Sequence, residues 1–273
     1  MQYYPVGYDG QLAQELGTLV AYAYDQFKSF EEGTEWSIPA PYEMVSTLSY
    51  PWKKTGSFDS GGKVAAIFKK LKSTDKAPEV PIGFVARKDG DLYVAFRGTE
   101  TANEWIGNFN QRLVDFFIPG YGNVHEGFQN SYLSVRDDVI AAVTGAGGAK
   151  RLYVTGHSLG AALATFATCD IEANAGKTAL ATYTYGSPRP GDAAFSAAYG
   201  NRFGGRTFRV ENSSDIVPEV PFPAQFLGFL GGYFAHVDTP VMINVQKNDV
   251  EKNHAIATYV EALAGGARPV GFF

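Results

Sequence analysis

A strand-forming run at Leu152, Tyr153 and Val154 passes within a few positions into an alanine-rich helix, and the corner between them reads Gly156-His157-Ser158-Leu159-Gly160. A corner that tight pushes one serine hydroxyl out at the end of a strand and holds that serine in a strained backbone region. Side chains two positions before and after it would collide with neighbouring backbone, which accounts for both glycines. The helix that follows, Ala161-Ala162-Leu163-Ala164 onward, is built of residues small enough to pack closely on a sheet. Its first free N–H groups aim at the place where negative charge on a carbonyl would develop. In a chain with 31 glycines a bare Gly-x-Ser-x-Gly match carries little weight, so the strand–turn–helix context is what makes it read as a nucleophile elbow.

The periodicity around this corner predicts an α/β chain. Leu12, Leu16, Leu19, Val20, Ala23, Tyr24 and Phe27 recur at helical spacing, so Gln11 to Phe30 is expected as an N-terminal helix. Ile82 to Arg87 and Asp91 to Arg97 read as strands joined by the hairpin signal Lys88-Asp89-Gly90. A short irregular or helical piece is expected at Lys63 to Leu71, and a helix from Gly127 to Val143. Further strands are expected at Thr178–Tyr185 and Arg206–Val210, a strand pair around Asp238-Thr239-Pro240, and a closing helix at Asn253–Ala264. Strands alternating with helical crossovers predict a mostly parallel central sheet flanked by helices. No repeat, low-complexity tract or linker interrupts the 273 residues, so one domain spanning 1–273 is the expectation.

Bulk properties exclude several functions. A net charge of -5 leaves no basic stripe to neutralise phosphates, against a nucleic-acid partner. One cysteine, Cys169, permits no intrachain disulfide and is expected as a small buried apolar residue. Four scattered histidines and that cysteine offer no metal-ligand spacing, and no metal or cofactor is expected. Ala175-Gly176-Lys177-Thr178 lacks the earlier glycine of a phosphate-binding loop, with Ile171 in its place. The opening Met-Gln-Tyr-Tyr-Pro has no secretory pattern, so the expectation is either an intracellular protein or one whose leader is removed. Phe226 to Ala235, the longest apolar stretch, is too short to span a bilayer.

A serine hydroxyl needs a base beside it and an acid to orient that base, and after such an elbow the chain order is serine, acid, histidine. His236 and His254 are the two histidines that follow Ser158. His236 sits in an alternating strand-like run, whereas His254 lies where a loop meets the last helix, which favours His254. Asp215 heads the acids because it follows a strand's carboxyl end; Asp192, Asp238 and Asp249 compete with it. For the oxyanion, the N–H of Leu159 is one donor, and Phe96-Arg97-Gly98-Thr99 is the candidate for the other, Thr99 offering both N–H and hydroxyl.

With these residues assembled, the chain resembles the class 3 lipase family, the fungal-lipase-like α/β-hydrolases. The resemblance rests on Val94-Ala-Phe-Arg-Gly-Thr99 with Asn103-Glu-Trp-Ile106, Val124-His-Glu-Gly-Phe128, Thr155-Gly-His-Ser-Leu-Gly-Ala161, Tyr183-Thr-Tyr-Gly-Ser-Pro-Arg189, and Phe208-Arg-Val210 with Asp215-Ile-Val-Pro218. It implies an α/β-hydrolase fold with Ser158 as nucleophile, Asp215 as acid, His254 as base, Thr99 and Leu159 at the oxyanion, and a lid from Glu100 to about Phe109. His125 and His236 match structural positions. With one cysteine the chain is more similar to bacterial members than to the secreted, disulfide-bonded fungal ones.

Trp105, Ile106 and Phe109 form an apolar stripe on the expected helical lid. Phe222 and Phe226 open a second, glycine-interrupted apolar cluster after Asp215, and ordinary core burial is the competing reading for every one of these side chains. A lid shut over an acyl groove in water and opened at a lipid–water interface implies a triacylglycerol-lipase-type ester hydrolase. The alternatives are a short-chain or feruloyl-type esterase, a phospholipase A1, or a catalytically silent lipid-binding scaffold.

Overall fold

The computed structural model describes residues 5–51, 79–99, 112–221 and 233–265. The chain opens with α1 (Gly10–Glu32), capped by the Asp9 carboxylate, which accepts from the N–H groups of Gln11 and Leu12, and closed by Gly33 in the left-handed conformation. Three strands follow: β1 (Glu43–Pro51), β2 (Glu79–Lys88) and β3 (Asp91–Phe96). Asp89 and Gly90, both at positive φ, form the tight β2–β3 turn. The chain continues through β4 (Leu113–Asp115), β5 (Asn123–His125), α2 (Glu126–Leu133), α3 (Arg136–Gly145), β6 (Leu152–His157), α4 (Leu159–Ala175) and β7 (Ala181–Tyr185). It then runs through β8 (Gly191–Asp192), α5 (Ala193–Phe203), β9 (Thr207–Asn212), β10 (Phe234–Ala235), β11 (Thr239–Ile243), α6 (Val250–His254) and α7 (Ile256–Ala264).

The main sheet has the order β1-β2-β3-β6-β7-β9-β11. The hairpin partners at one border are antiparallel, and every pairing from β3 to β11 is parallel. Side chains alternate between faces with the period of two that a strand imposes. Tyr93 and Ala95 of β3 meet Leu16, Val20 and Tyr259 on the face carrying α1 and α7. Leu92, Val94 and Phe96 meet Leu163, Phe166 and Phe128 on the face carrying α4 and α2. Burial on both faces explains why β6 and β7 read as unbroken buried runs. A second, smaller antiparallel sheet has the order β10-β8-β5-β4. At the borders of the main sheet, the β1–β2 pairing shifts register twice, with Val45 the extra residue in β1 and Ile82 the extra residue in β2, and β11 carries Pro240.

Several expectations need correction. The helix expected over Gly127–Val143 is two helices, because the Ser134 hydroxyl donates to the Ser131 carbonyl and Val135 N–H closes on Tyr132, ending the first before Arg136 begins the second. The strand pair around Asp238 is no pair: β10 joins β8 in the small sheet and β11 joins β9 in the main one. The closing helix breaks at Ala255, whose extended ψ of 135° separates α6 from α7. Lys63–Leu71 lies outside the described residues.

Candidate active site

The carboxyl ends of four neighbouring parallel strands supply the site. Thr99 follows β3, Ser158 follows β6, Gly186 follows β7 and Asp215 follows β9. Ser158 sits at φ 57° and ψ -127°, the strained conformation of the corner, at the mouth of α4. The flanking glycines are a steric requirement. A Cβ on Gly156 would lie 2.0 Å from the Gly160 carbonyl oxygen, and one on Gly160 would lie 2.4 Å from the Arg97 carbonyl oxygen. The corner therefore rests directly on the backbone of the β3 exit.

His254, the last residue of α6, brings Nδ1 to 2.7 Å from Asp215 Oδ2, and both side chains are buried. A carboxylate only accepts, so Nδ1 carries the hydrogen, and in the neutral form of the ring the lone pair is on Nε2. That Nε2 is buried and without a hydrogen-bond partner among the described residues. Asp215 accepts twice more: from the Tyr259 hydroxyl at 2.6 Å on Oδ2 and from Val217 N–H at 2.9 Å on Oδ1. Burial, and then the adjacent Asp215 charge, push the Tyr259 phenol well above its usual pKa and keep it a donor. Gly186, at φ +52°, lies against this pair: a Cβ there would stand 2.9 Å from Asp215 Oδ2 and 3.0 Å from the His254 ring.

The candidate oxyanion side is held as firmly. Arg97 donates from Nη1 to the Gly98 carbonyl at 2.7 Å and from Nε to the Pro81 carbonyl at 2.9 Å, and its guanidinium stacks over Phe27. Thr99 Oγ1 is buried and has no hydrogen-bond partner among the described residues. Leu159 is the first residue of α4, so its N–H has no acceptor within the helix. A cavity of about 470 Å³ opens beside these groups, lined by Thr99, Tyr24, His157 and His254 among others.

The competing residues have other occupations. His236 Nε2 meets the Pro218 carbonyl at 2.7 Å, Asp192 and Asp249 cap α5 and α6, and Asp238 accepts from Thr239 N–H. His125 caps α2. Trp105, Ile106, Phe109, Phe222 and Phe226, together with the expected lid, lie outside the described residues. Three residues next to the site escape sequence reasoning. Tyr259 follows His254 by five positions on an apolar helix, and Tyr24 reads as one of the buried positions of α1. His157 stood inside the elbow motif, and its place beside the serine was the available signal. Among the described residues no cluster of His, Cys, Asp or Glu is arranged to hold a metal, and no helix is long and apolar enough to cross a membrane.

Residues 93–225 match the family model described as lipase (class 3). The chain is 35% identical over 178 residues to a lipase of Rhizomucor miehei, an alignment covering 61% of this chain and 48% of the relative. It is 32% identical over 221 residues to phospholipase A1-II 3 of Oryza sativa subsp. japonica, covering 66% of this chain and 51% of that one. The chain thus spans about half the length of these relatives. In structure it is similar to the lipase of Rhizopus microsporus var. chinensis, with a TM-score of 0.61 at 25% identity over 92% of this chain and 80% of the other.

Proposed function

The chain belongs to the class 3 lipase family, with the α/β-hydrolase fold, and from that premise we propose that it hydrolyses lipid carboxylic esters by acyl transfer through Ser158. The observation that carries this reading is the Asp215–His254 pair, closed at 2.7 Å on one nitrogen and open on the other. His254 Nε2 takes the Ser158 proton as Oγ attacks the ester carbonyl, and Asp215 fixes the tautomer and stabilises the imidazolium that forms. The N–H groups of Thr99 and Leu159, with the Thr99 hydroxyl, hold the tetrahedral oxyanion, each such donor contributing about 10²- to 10³-fold in rate. His254 then delivers its proton to the departing alkoxide, and water repeats the sequence on the acyl-enzyme. The two cores share one sheet, which supports reading the whole chain as a single domain. Trp105, Ile106, Phe109, Phe222 and Phe226 are assigned to the lid and acyl groove on composition.

Ser158→Ala should lower turnover of a nitrophenyl ester by on the order of 10⁴-fold or more and abolish labelling by a serine-directed phosphonate. Hydrolysis near the wild-type rate in that variant would sink the proposal.

A second reading concerns the alcohol. The leaving group must depart on the side of His254, where among the described residues the cavity is walled by α6, with the exposed Glu251 and Lys252 at its rim, and by Ala255 and Ile256. An acyl chain gains about 0.8 kcal/mol per methylene only where it leaves water, so a charged rim favours a polar leaving alcohol over a diacylglycerol. This supports the phospholipase A1 or monoacylglycerol reading. Comparing phospholipid vesicles and monoacylglycerol with a triacylglycerol emulsion tests it, and faster triacylglycerol turnover would overturn it.

A further inference from the structure

Behind Ser158, outside the three reacting side chains, a file of hydrogen bonds connects the two halves of the site. Gly98 N–H donates to the Tyr24 oxygen at 2.9 Å, the Tyr24 hydroxyl lies 2.7 Å from His157 Nδ1, and His157 Nε2 lies 2.6 Å from the His254 carbonyl oxygen. Elementary bonding rules fix the direction of each link. A carbonyl can only accept, so His157 Nε2 carries a hydrogen. His157 is buried, with Tyr24 of α1, His254 of α6 and Tyr259 of α7 packed around its ring. Burial, and secondarily the neighbouring His254, hold its pKa well below the usual value, so the ring is neutral and Nδ1 is a bare acceptor. The Tyr24 hydroxyl must then donate to Nδ1, which leaves its oxygen to receive the Gly98 N–H. All three bonds point one way, from the oxyanion loop to the backbone of the base.

The backbone at His254 is shaped to receive this link. In a continuous helix the carbonyl of residue 254 would accept from the N–H of residue 258. Here Ala255 is extended, Thr258 N–H bonds to the Ala255 carbonyl instead, and the His254 carbonyl is turned to His157. The break between α6 and α7 is thus tied to the relay.

We propose that Tyr24, 133 positions before His157, is a positioning residue: it fixes the tautomer of His157 and so locks the oxyanion loop at Gly98–Thr99 to the backbone of His254. Tyr24 does for His157 what Asp215 does for His254, one layer further from the chemistry. This rests on the acyl-transfer reading of Ser158 but concerns a residue outside the matched family segment. A hydroxyl is all that Tyr24→Phe removes, and a misplacement of reacting groups by about 1 Å costs on the order of 10²-fold in rate.

The test uses three variants of the full chain and one measurement on the wild type. With a nitrophenyl ester, Tyr24→Phe should lose on the order of 10- to 100-fold in kcat. KM should stay within about twofold, since the ring and the substrate contacts remain. His157→Gln should lose a similar factor, and Tyr24→Phe added to it should cost little more, because the relay is already broken. Retention of wild-type kcat in Tyr24→Phe, or losses that multiply in the double variant, would overturn the proposal. If Tyr24→Phe does not fold, long-range proton–nitrogen correlation spectra of wild-type protein decide. They should report His157 as a neutral ring protonated on Nε2 throughout mildly acid to mildly alkaline buffers. The opposite tautomer, or titration within that range, overturns the relay. A wild-type protein without ester hydrolysis overturns the acyl-transfer reading and leaves the imidazole measurement to judge the relay by itself.

Discussion

Asp215 accepts three hydrogen bonds, from His254, Tyr259 and Val217, so its two oxygens are fixed in direction as well as in place. Asp215→Asn keeps the shape but can present an amide N–H to the imidazole and favour the wrong tautomer. Turnover should fall by about 10⁴-fold with an unfolding midpoint close to the wild type. A loss below about tenfold would show that the imidazole is oriented by something else. Gly186→Ala makes a sharper test, because a Cβ would crowd both Asp215 and His254 while the backbone stays at φ +52°. We expect kcat to fall by on the order of 10²-fold and stability by about 1–3 kcal/mol in urea titrations; wild-type values of both would mean that the pair can shift aside at no cost. At this scale the sequence was informative where chemistry and chain order restrict the choice. Asp215 and His254 each have few rivals, and those rivals cap helices or hydrogen-bond a carbonyl or a neighbouring N–H. Tyr24 and Tyr259 were illegible because their hydroxyls act across long sequence separations from helix positions that read as plain core.

Among the elements, α1 links the core to the site: its apolar side covers the sheet and its Tyr24 reaches the site. Its start depends on Asp9, so Asp9→Ala should cost about 1 kcal/mol of stability in denaturant titrations while kcat stays unchanged. A fall in kcat would mean that the first turn of α1, and not Tyr24 alone, sets the site. Long helices and fully buried strands were visible in advance because periods of 3.6 and 2 repeat over many residues. The elements that periodicity does not reveal are the ones defined by distant partners. β4, β5, β8 and β10 are two or three residues long and exist because they pair with each other. The breaks at Ser134 and Ala255 are decided by one hydroxyl and one carbonyl finding other partners.

For the molecule as a whole, the buried His157 and the half-buried His236 contribute to the response to acid. Burial holds both His157 and His236 well below the ordinary histidine pKa, with Arg209 and Arg189 adding to the effect at His236. In the unfolded chain each binds a proton near pH 6.5, whereas in the fold neither does. The unfolded state therefore binds more protons below that point, and stability falls as pH drops from about 6.5 toward the depressed folded values, while above it these groups add no pH dependence. Urea midpoints at mildly alkaline and mildly acid pH should show this slope, and His236→Gln should flatten part of it; an identical slope in that variant would exonerate His236. The borders of the main sheet carry a different consequence. The extra residue Val45 in β1 interrupts one outer row of donors and acceptors, and Pro240 takes an N–H out of the strand at the other border. Among the described residues neither rim offers a neighbouring chain an unbroken ladder, a geometry that disfavours edge-to-edge stacking in crowded solutions.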